Sequence, residues 1–170
     1  MSFIWKFILM KPVVSYPSQW QSQSEQKGYL FEQWVVLQFH AAGFKLHEWR
    51  SDKKINGVFP IFSTKPDLIV EKSDKKIREF FAVECKWRNQ IGETWKWTNS
   101  KKISQYEEYG DKVRAKVFVA IGIGGSPFNP SNNYLLPLSA IEKKQFINQD
   151  FMNKYPWPAS ADLFNYLQKN

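Results

Sequence analysis

The sequence predicts an α/β protein, a mixed central β-sheet flanked by helices, and three segments carry that expectation. Residues 24–42 have helix length and apolar residues at helical spacing, and Gly43 stands where a helix C-terminus favours glycine. In KPDLIVEKSDKKIREFFAVECKW, two strand-like apolar runs, LIV and FFAV, flank a charged turn signal, which is the pattern of a β-hairpin. AKVFVAIGIGG has the composition of a core strand leaving into a glycine turn.

Taken in order, the chain opens on MSFIWKFILMK, apolar but interrupted by Lys6 and too short to span a bilayer as a helix. No convincing signal-cleavage pattern follows it, so it is expected to pack, as a tail or an extra strand, with weak interfacial membrane attachment as the alternative. YPSQWQSQSEQK reads as a polar linker into the helix at 24–42. A strand is expected near 44–49, hairpin strands near 67–71 and 77–87, a helix near 100–110 and a strand near 115–121. After the GIGGSPFNPSNN loop, YLLPL is expected as a short edge strand and SAIEKKQFIN as a helix; Pro156 and Pro158 precede a final helix in ASADLFNYLQK. A length of 170 residues suits one domain with a real core. Its expected divisions are a tail or accessory packing segment at 1–23, the core at 24–142 and a C-terminal helical extension of the same domain at 143–170.

Pro66-Asp67 opens the first apolar run of the hairpin, and sixteen residues intervene before Glu84-Cys85-Lys86 inside the second. Because side chains alternate across a strand, Glu84 and Lys86 leave one face while Val83 and Cys85 leave the other. Two strands can then hold two carboxylates and one amine at a single metal site. An acid two residues before a lysine also occurs at Glu25/Lys27, Asp52/Lys54, Asp74/Lys76 and Glu142/Lys144, but only Glu84 lies in an apolar run downstream of the chain's only Pro-Asp pair. A carboxylate flanked by Phe81, Ala82 and Val83 is costly to bury unless a cation or donors satisfy it. The plain alternatives are a structural Glu84–Lys86 ion pair and, for Asp67, a solvated turn acid. A third acid, Glu32, shares a helical face with Gly28, Val35, Val36 and Phe39; its alternative is to reach solvent from the edge of that face.

Downstream, WRNQIGETWKWTNSKKISQYEEYGDKVRAK interleaves Trp87, Trp95 and Trp97 with Arg88, Lys96, Lys101 and Lys102. Cations can neutralise phosphates while aromatic faces stack on bases, although core packing would account for some of the tryptophans equally well. Gln105 and Tyr109, four apart, project from one helical face. The net charge of +8 favours a polyanionic partner and also fits an anionic membrane surface or a solvated protein.

Other chemistries find little support. Pro127 stands where a dinucleotide fingerprint wants its third glycine, no Gly-Lys-Ser/Thr follows, and Ser126 misses the nucleophile-elbow pattern. His40, His47 and Cys85 are not spaced as a zinc cluster. One cysteine cannot form an intrachain disulfide, and its orientation away from the acids suggests a packing role; the low count is compatible with a reducing cytoplasm, the expected location.

The Pro-Asp and Glu-x-Lys elements, with the GYLFEQWV helix before them, resemble the PD-(D/E)xK nuclease superfamily of restriction-endonuclease-like fold, over residues 24–141. The pattern is most similar to the Mrr-like and Holliday-junction-resolvase-like branches. The resemblance implies a Mg²⁺-dependent DNA endonuclease, with Mn²⁺ as a substitute, whose active centre lies near one sheet edge. Asp67, Glu84 and the backbone carbonyl of Cys85 would bind metal, Glu32 would serve a second or transient metal position or orient the centre, and Lys86 would hold or activate water and stabilise charge on the phosphate. A glutamine followed four residues later by tyrosine resembles an element that positions DNA or supports such sites. Gln105 and Tyr109 therefore join Arg88, Lys96, Lys101 and Lys102 as expected DNA contacts. DNA is the expected partner, a homodimer is an option, no protein partner is specified, and a membrane is not expected. The competing functions are an inactive nuclease-fold DNA-binding or nucleoprotein scaffold and a protein-interaction module in which the acid-lysine cluster is structural.

Overall fold

The structure, a computed structural model, describes residues 23–50, 64–73 and 78–170, so the expectations for the N-terminal segment and for the tip of the hairpin turn lie outside the described residues. Helix α1 (Gln23–Ala41) buries Phe31, Glu32, Val35 and Phe39. It ends where the sequence places its stop: Gly43 has φ +77°, a left-handed conformation that costs glycine no Cβ clash. Strands β1 (Lys45–Trp49), β2 (Leu68–Ser73) and β3 (Arg78–Arg88) follow, then the short β4 (Trp95–Lys96) and helix α2 (Ser100–Val113). The Asn99 side chain caps α2 by accepting from the Lys102 N–H at 2.9 Å. Strands β5 (Lys116–Ile123) and β6 (Asn132–Pro137), helix α3 (Leu138–Ile141), strand β7 (Phe146–Ile147) and helices α4 (Gln149–Met152) and α5 (Leu163–Lys169) complete the described chain.

The five-stranded sheet has the order β1-β2-β3-β5-β6. β3 and β5 run parallel and the other neighbours antiparallel, which makes the sheet mixed as expected, with YLLP of the expected YLLPL in its edge strand β6 and Leu138 opening α3. α1 and α5 cover one face: Phe31, Val35, Phe39, Leu163 and Leu167 pack on Leu68, Val70, Phe81, Val83, Phe118 and Ala120. α2 covers the other, setting Ile103, Tyr106 and Tyr109 against Ile69, Ala82, Val117, Val119 and Ile121. β5 is buried on both faces, as an apolar run beside a parallel neighbour requires. Among the described residues no helix is long and apolar enough to cross a membrane.

SAIEKKQFIN is not one helix. α3 stops after a single turn, and Phe146 and Ile147 instead pair with Lys96 and Trp95. Trp97 captures this segment, its indole N–H donating to the Lys144 carbonyl at 2.5 Å and its backbone N–H to Gln145 O at 3.1 Å. With Trp97 only 2% exposed, burying that indole with its donor satisfied outweighs the helical propensity of the segment.

Gly122 seats α1 on the sheet. A Cβ there would lie 2.5 Å from Cε2 of Phe31, the residue before Glu32. Gly122→Val is therefore expected to cost about 1–3 kcal/mol through overpacking. At about 2–4 °C per kcal/mol for a domain of this size, a thermal melt should show the destabilisation; an unchanged melting temperature would mean that α1 does not dock through this contact.

Candidate active site

The site forms where β3 loses a neighbour. Leu68↔Val83 is the last β2–β3 pair, whereas β3 stays paired with β5 as far as Arg88↔Ile123. Among the described residues, no strand pairs with the β2 side of β3 from Glu84 onward, and Asp67 stands at that break. Its carboxylate takes the place of a ladder acceptor: the Cys85 N–H donates to Asp67 Oδ2 at 2.7 Å. Continuing the register by one residue sets Asp67 opposite Glu84 on the same face. The candidate site thus sits at the break between β2 and β3, within the order β1-β2-β3-β5-β6, where the sequence expectation had it near one sheet edge. The sequence shows that these two strands form a hairpin but not that they separate halfway.

Glu32, Asp67 and Glu84 are 9%, 6% and 1% exposed, against the rule that lone carboxylates stay in water. Lys86 Nζ pairs with Glu84 Oε1. Burial pushes the Asp67 carboxyl well above the usual carboxylate range, and Glu84 and Glu32 push it further; Lys86 and the Cys85 N–H oppose this without cancelling it.

Val83 and Cys85 pack on the α1 side and Ala82 on the α2 side, so alternation directs Glu84 away from α1 while Glu32 projects from α1 itself. In keeping with that, among the described residues no three His, Cys, Asp or Glu side chains gather closely enough to hold a metal ion by themselves. What converges is a pair of acids and the Cys85 peptide. These oxygen donors, with the Asp67 carboxyl raised by burial and by its acidic neighbours, suit a hard divalent cation, which keeps waters as its remaining ligands. Burial, followed by the three acids, also raises the Cys85 thiol well above its ordinary pKa, which fits the packing role and not a nucleophile.

A cleft of about 430 Å³ opens onto this point, lined by Glu32, Asp67, Cys85 and Lys86 together with Ser24, Lys27, Trp87, Arg88 and Asn89. A larger one, about 900 Å³ and bordered by Glu107, Asp111, Arg114, Lys116 and Glu142, contains none of the expected site residues. Of the cations expected to contact DNA, the structure brings only Arg88 into the acidic cleft, its guanidinium 5.2 Å from the Trp95 ring. Lys96 lies by Phe146 and Lys102 over Tyr106, while Lys101 is exposed on the first turn of α2. Trp97 is core. Gln105 and Tyr109 do share a face, which lines a separate small cleft with Lys65 and Lys112.

Sequence reasoning passed over Lys27, 5.9 Å from the Trp87 ring centre, and two neighbours of the acids, Trp49 and Arg50. A buried tryptophan seeks an acceptor for its N–H, so Trp49 at a strand end was a usable signal.

No protein-family profile and no curated protein sequence matches this chain. Solved structures do. The Holliday junction resolvase Hjc of the archaeal hyperthermophile Archaeoglobus fulgidus aligns with a TM-score of 0.57, covering 81% of this chain and 98% of the resolvase at 16% identity. The chain shares the fold of that resolvase. Within that fold, the break between β2 and β3 that exposes the Cys85 peptide to Asp67 is a property of this chain's own register.

Proposed function

We propose that the chain is a metal-dependent DNA endonuclease that hydrolyses phosphodiester bonds at Asp67, Glu84 and Lys86. The observation that carries this reading is the break in the β2–β3 ladder, where Asp67 and Glu84 are buried side by side and burial and the neighbouring acids raise the Asp67 carboxyl. Asp67, Glu84 and the carbonyl of Cys85 would hold Mg²⁺, or Mn²⁺ in its place. Bound there, the ion supplies Lewis-acid activation of water and neutralises charge on the attacked phosphate. Lys86 orients the water and offers a cation to the phosphate, and Glu32 orients the centre or serves a second metal position. Lys27 and Arg88 bind backbone phosphates along the cleft. The fold likeness to a protein described as a Holliday junction resolvase supports DNA, branched DNA included, as the substrate to try first.

The test is a cleavage screen with Mg²⁺ or Mn²⁺ over duplex, single-stranded, methylated and branched DNA and matched RNA, with cutting expected only with metal and abolished by chelator. DNA binding without cleavage on any substrate would instead support the second reading, a nuclease-fold DNA-binding scaffold, which the existing Glu84–Lys86 ion pair favours. For the cleft cations, Lys27→Gln with Arg88→Gln is expected to weaken DNA binding and reduce the salt slope by about two, about one for each phosphate that is no longer neutralised. Fluorescence anisotropy across a salt series measures this, and an unchanged slope would place the DNA path elsewhere.

A further inference from the structure

Trp49 and Arg50 close on the acids from opposite faces of the sheet, and a bulge in β1 sends them there. β1 pairs with β2 as Lys45↔Glu71 and Leu46↔Val70, then as Glu48↔Ile69 and Trp49↔Leu68, so His47 is an extra residue on the β1 side. Cross-strand partners share a face, and an inserted residue reverses the face of everything after it. The unbulged register would set Trp49 against Asp67. The bulged one sets it against Leu68, on the α1 side, and leaves Arg50 opposite Asp67.

Trp49 then reaches the Glu32 carboxylate, and Arg50 the backbone of Pro66 and Asp67. The Trp49 indole N–H donates to Glu32 Oε2 at 2.5 Å while its ring stacks on Tyr29 of α1, centroids 5.0 Å apart. The Arg50 backbone N–H donates to Asp67 O at 2.6 Å, and its Nη1 to the Pro66 carbonyl at 3.3 Å. The guanidinium is itself fixed: Nη2 donates to Tyr109 Oη at 2.7 Å, the group lies 4.9 Å from that ring's centre, and it pairs with Glu48. Its side chain is 11% exposed and does not line the acidic cleft, so it is placed to hold the Asp67 turn rather than a phosphate.

We infer that Trp49 and Arg50 are positioning residues, a two-sided brace that the β1 bulge aims at Glu32 and Asp67; the inference rests on the nuclease reading above. Tyr109, expected from the sequence to contact DNA, acts in this brace through Arg50. The test uses Trp49→Phe, which keeps the stacked ring and removes only the donor, and Arg50→Lys, which keeps the charge and removes the fork. Mn²⁺ binding to the DNA-free protein is measured by calorimetry, and kcat and KM for cleavage separately, with circular dichroism confirming the fold. Each variant is expected to bind Mn²⁺ on the order of 10-fold more weakly, as removal of a group supporting a ligand does, with kcat lowered and KM for DNA unchanged. Trp49→Phe should add no further loss to Glu32→Gln, because the two act through one carboxylate. Should Arg50→Lys fail to fold, Tyr109→Phe removes only the oxygen at the far end of the guanidinium and is expected to shift Mn²⁺ affinity in the same direction. Variants that match an active wild type in Mn²⁺ affinity and kcat overturn the brace and leave the nuclease reading standing. A raised KM with unchanged Mn²⁺ affinity makes Arg50 a DNA contact and also overturns it. A wild type that neither binds Mn²⁺ nor cuts overturns the nuclease reading, and the brace with it.

Discussion

Asp67→Asn is expected to abolish metal-dependent cleavage while making the metal-free protein more stable at neutral pH. Asparagine keeps the volume and an oxygen that can accept the Cys85 N–H now bonded at 2.7 Å, so the β2–β3 junction has no reason to move. Alanine would leave that buried N–H unsatisfied at a cost of about 1–3 kcal/mol and confuse the two effects. Losing the charge removes a ligand for the cation. If that forfeits about 4 kcal/mol of transition-state stabilisation, turnover falls roughly 10³-fold. The stability effect has the opposite sign. Burial and the neighbouring acids raise the folded-state pKa of Asp67, while the unfolded chain releases the same proton near pH 4. Stability from this group is therefore complete below the unfolded value and is lost as pH rises through the folded one. In chelator, the melting temperature of Asp67→Asn should exceed that of wild type by a margin that grows from pH 4 towards neutrality. Saturating Mg²⁺ should reverse the ranking, since a ligand at 100 times its Kd adds about 2.7 kcal/mol to the protein that binds it. Melts of both proteins across pH in chelator and again in Mg²⁺, with one cleavage assay, check the set; an asparagine variant that cuts like wild type removes Asp67 from the site.

How far the sequence announced this site depends on how local each signal is. Asp67, Glu84 and Lys86 were legible because strand alternation and an apolar setting are properties of a few consecutive residues, and the structure does bury the two acids and pair Lys86 with Glu84. Glu32 was legible from helical spacing, and its burial follows. Trp49 offered only the signal of its indole N–H and Arg50 none, because the bulge at His47 reverses their faces and nothing in KLHEWR marks a residue that lacks its own partner on β2. The expected lip of cations dispersed for a related reason: Trp97 is drawn into the core by the Lys144 carbonyl, 47 positions away, and Lys96 goes with it into the β4–β7 ribbon. Short-range pattern thus located the acids, while the supporting contacts depended on pairings between distant segments. The fold class was readable because the long helix has apolar residues at helical spacing and the hairpin strands and β5 each form an apolar run of strand length; SAIEKKQFIN failed because a helical pattern over ten residues gave way to a tertiary contact.

Lys86→Met is expected to destabilise the metal-free protein and to stop the chemistry, and the two effects should separate in a double variant. Methionine keeps most of the unbranched stem and deletes the ammonium that pairs with Glu84, a side chain 1% exposed. Breaking a buried pair leaves an uncompensated carboxylate, typically at a cost of about 3–5 kcal/mol. Because the Lys86 side chain is 19% exposed, water already shares in solvating it, and about 2 kcal/mol is the expected destabilisation. That corresponds to about 4–8 °C in melting temperature. Adding Glu84→Gln removes the stranded charge and should recover most of this stability, yet cleavage should stay absent because a cation ligand and the phosphate-facing amine are both gone. Mg²⁺ should partly restore the melting temperature of the single variant, by standing in for the missing positive charge, without restoring turnover. A double variant that is both stable and fully active would show that Glu84 and Lys86 form only a structural ion pair, and the chemistry would have to be sought away from the break between β2 and β3.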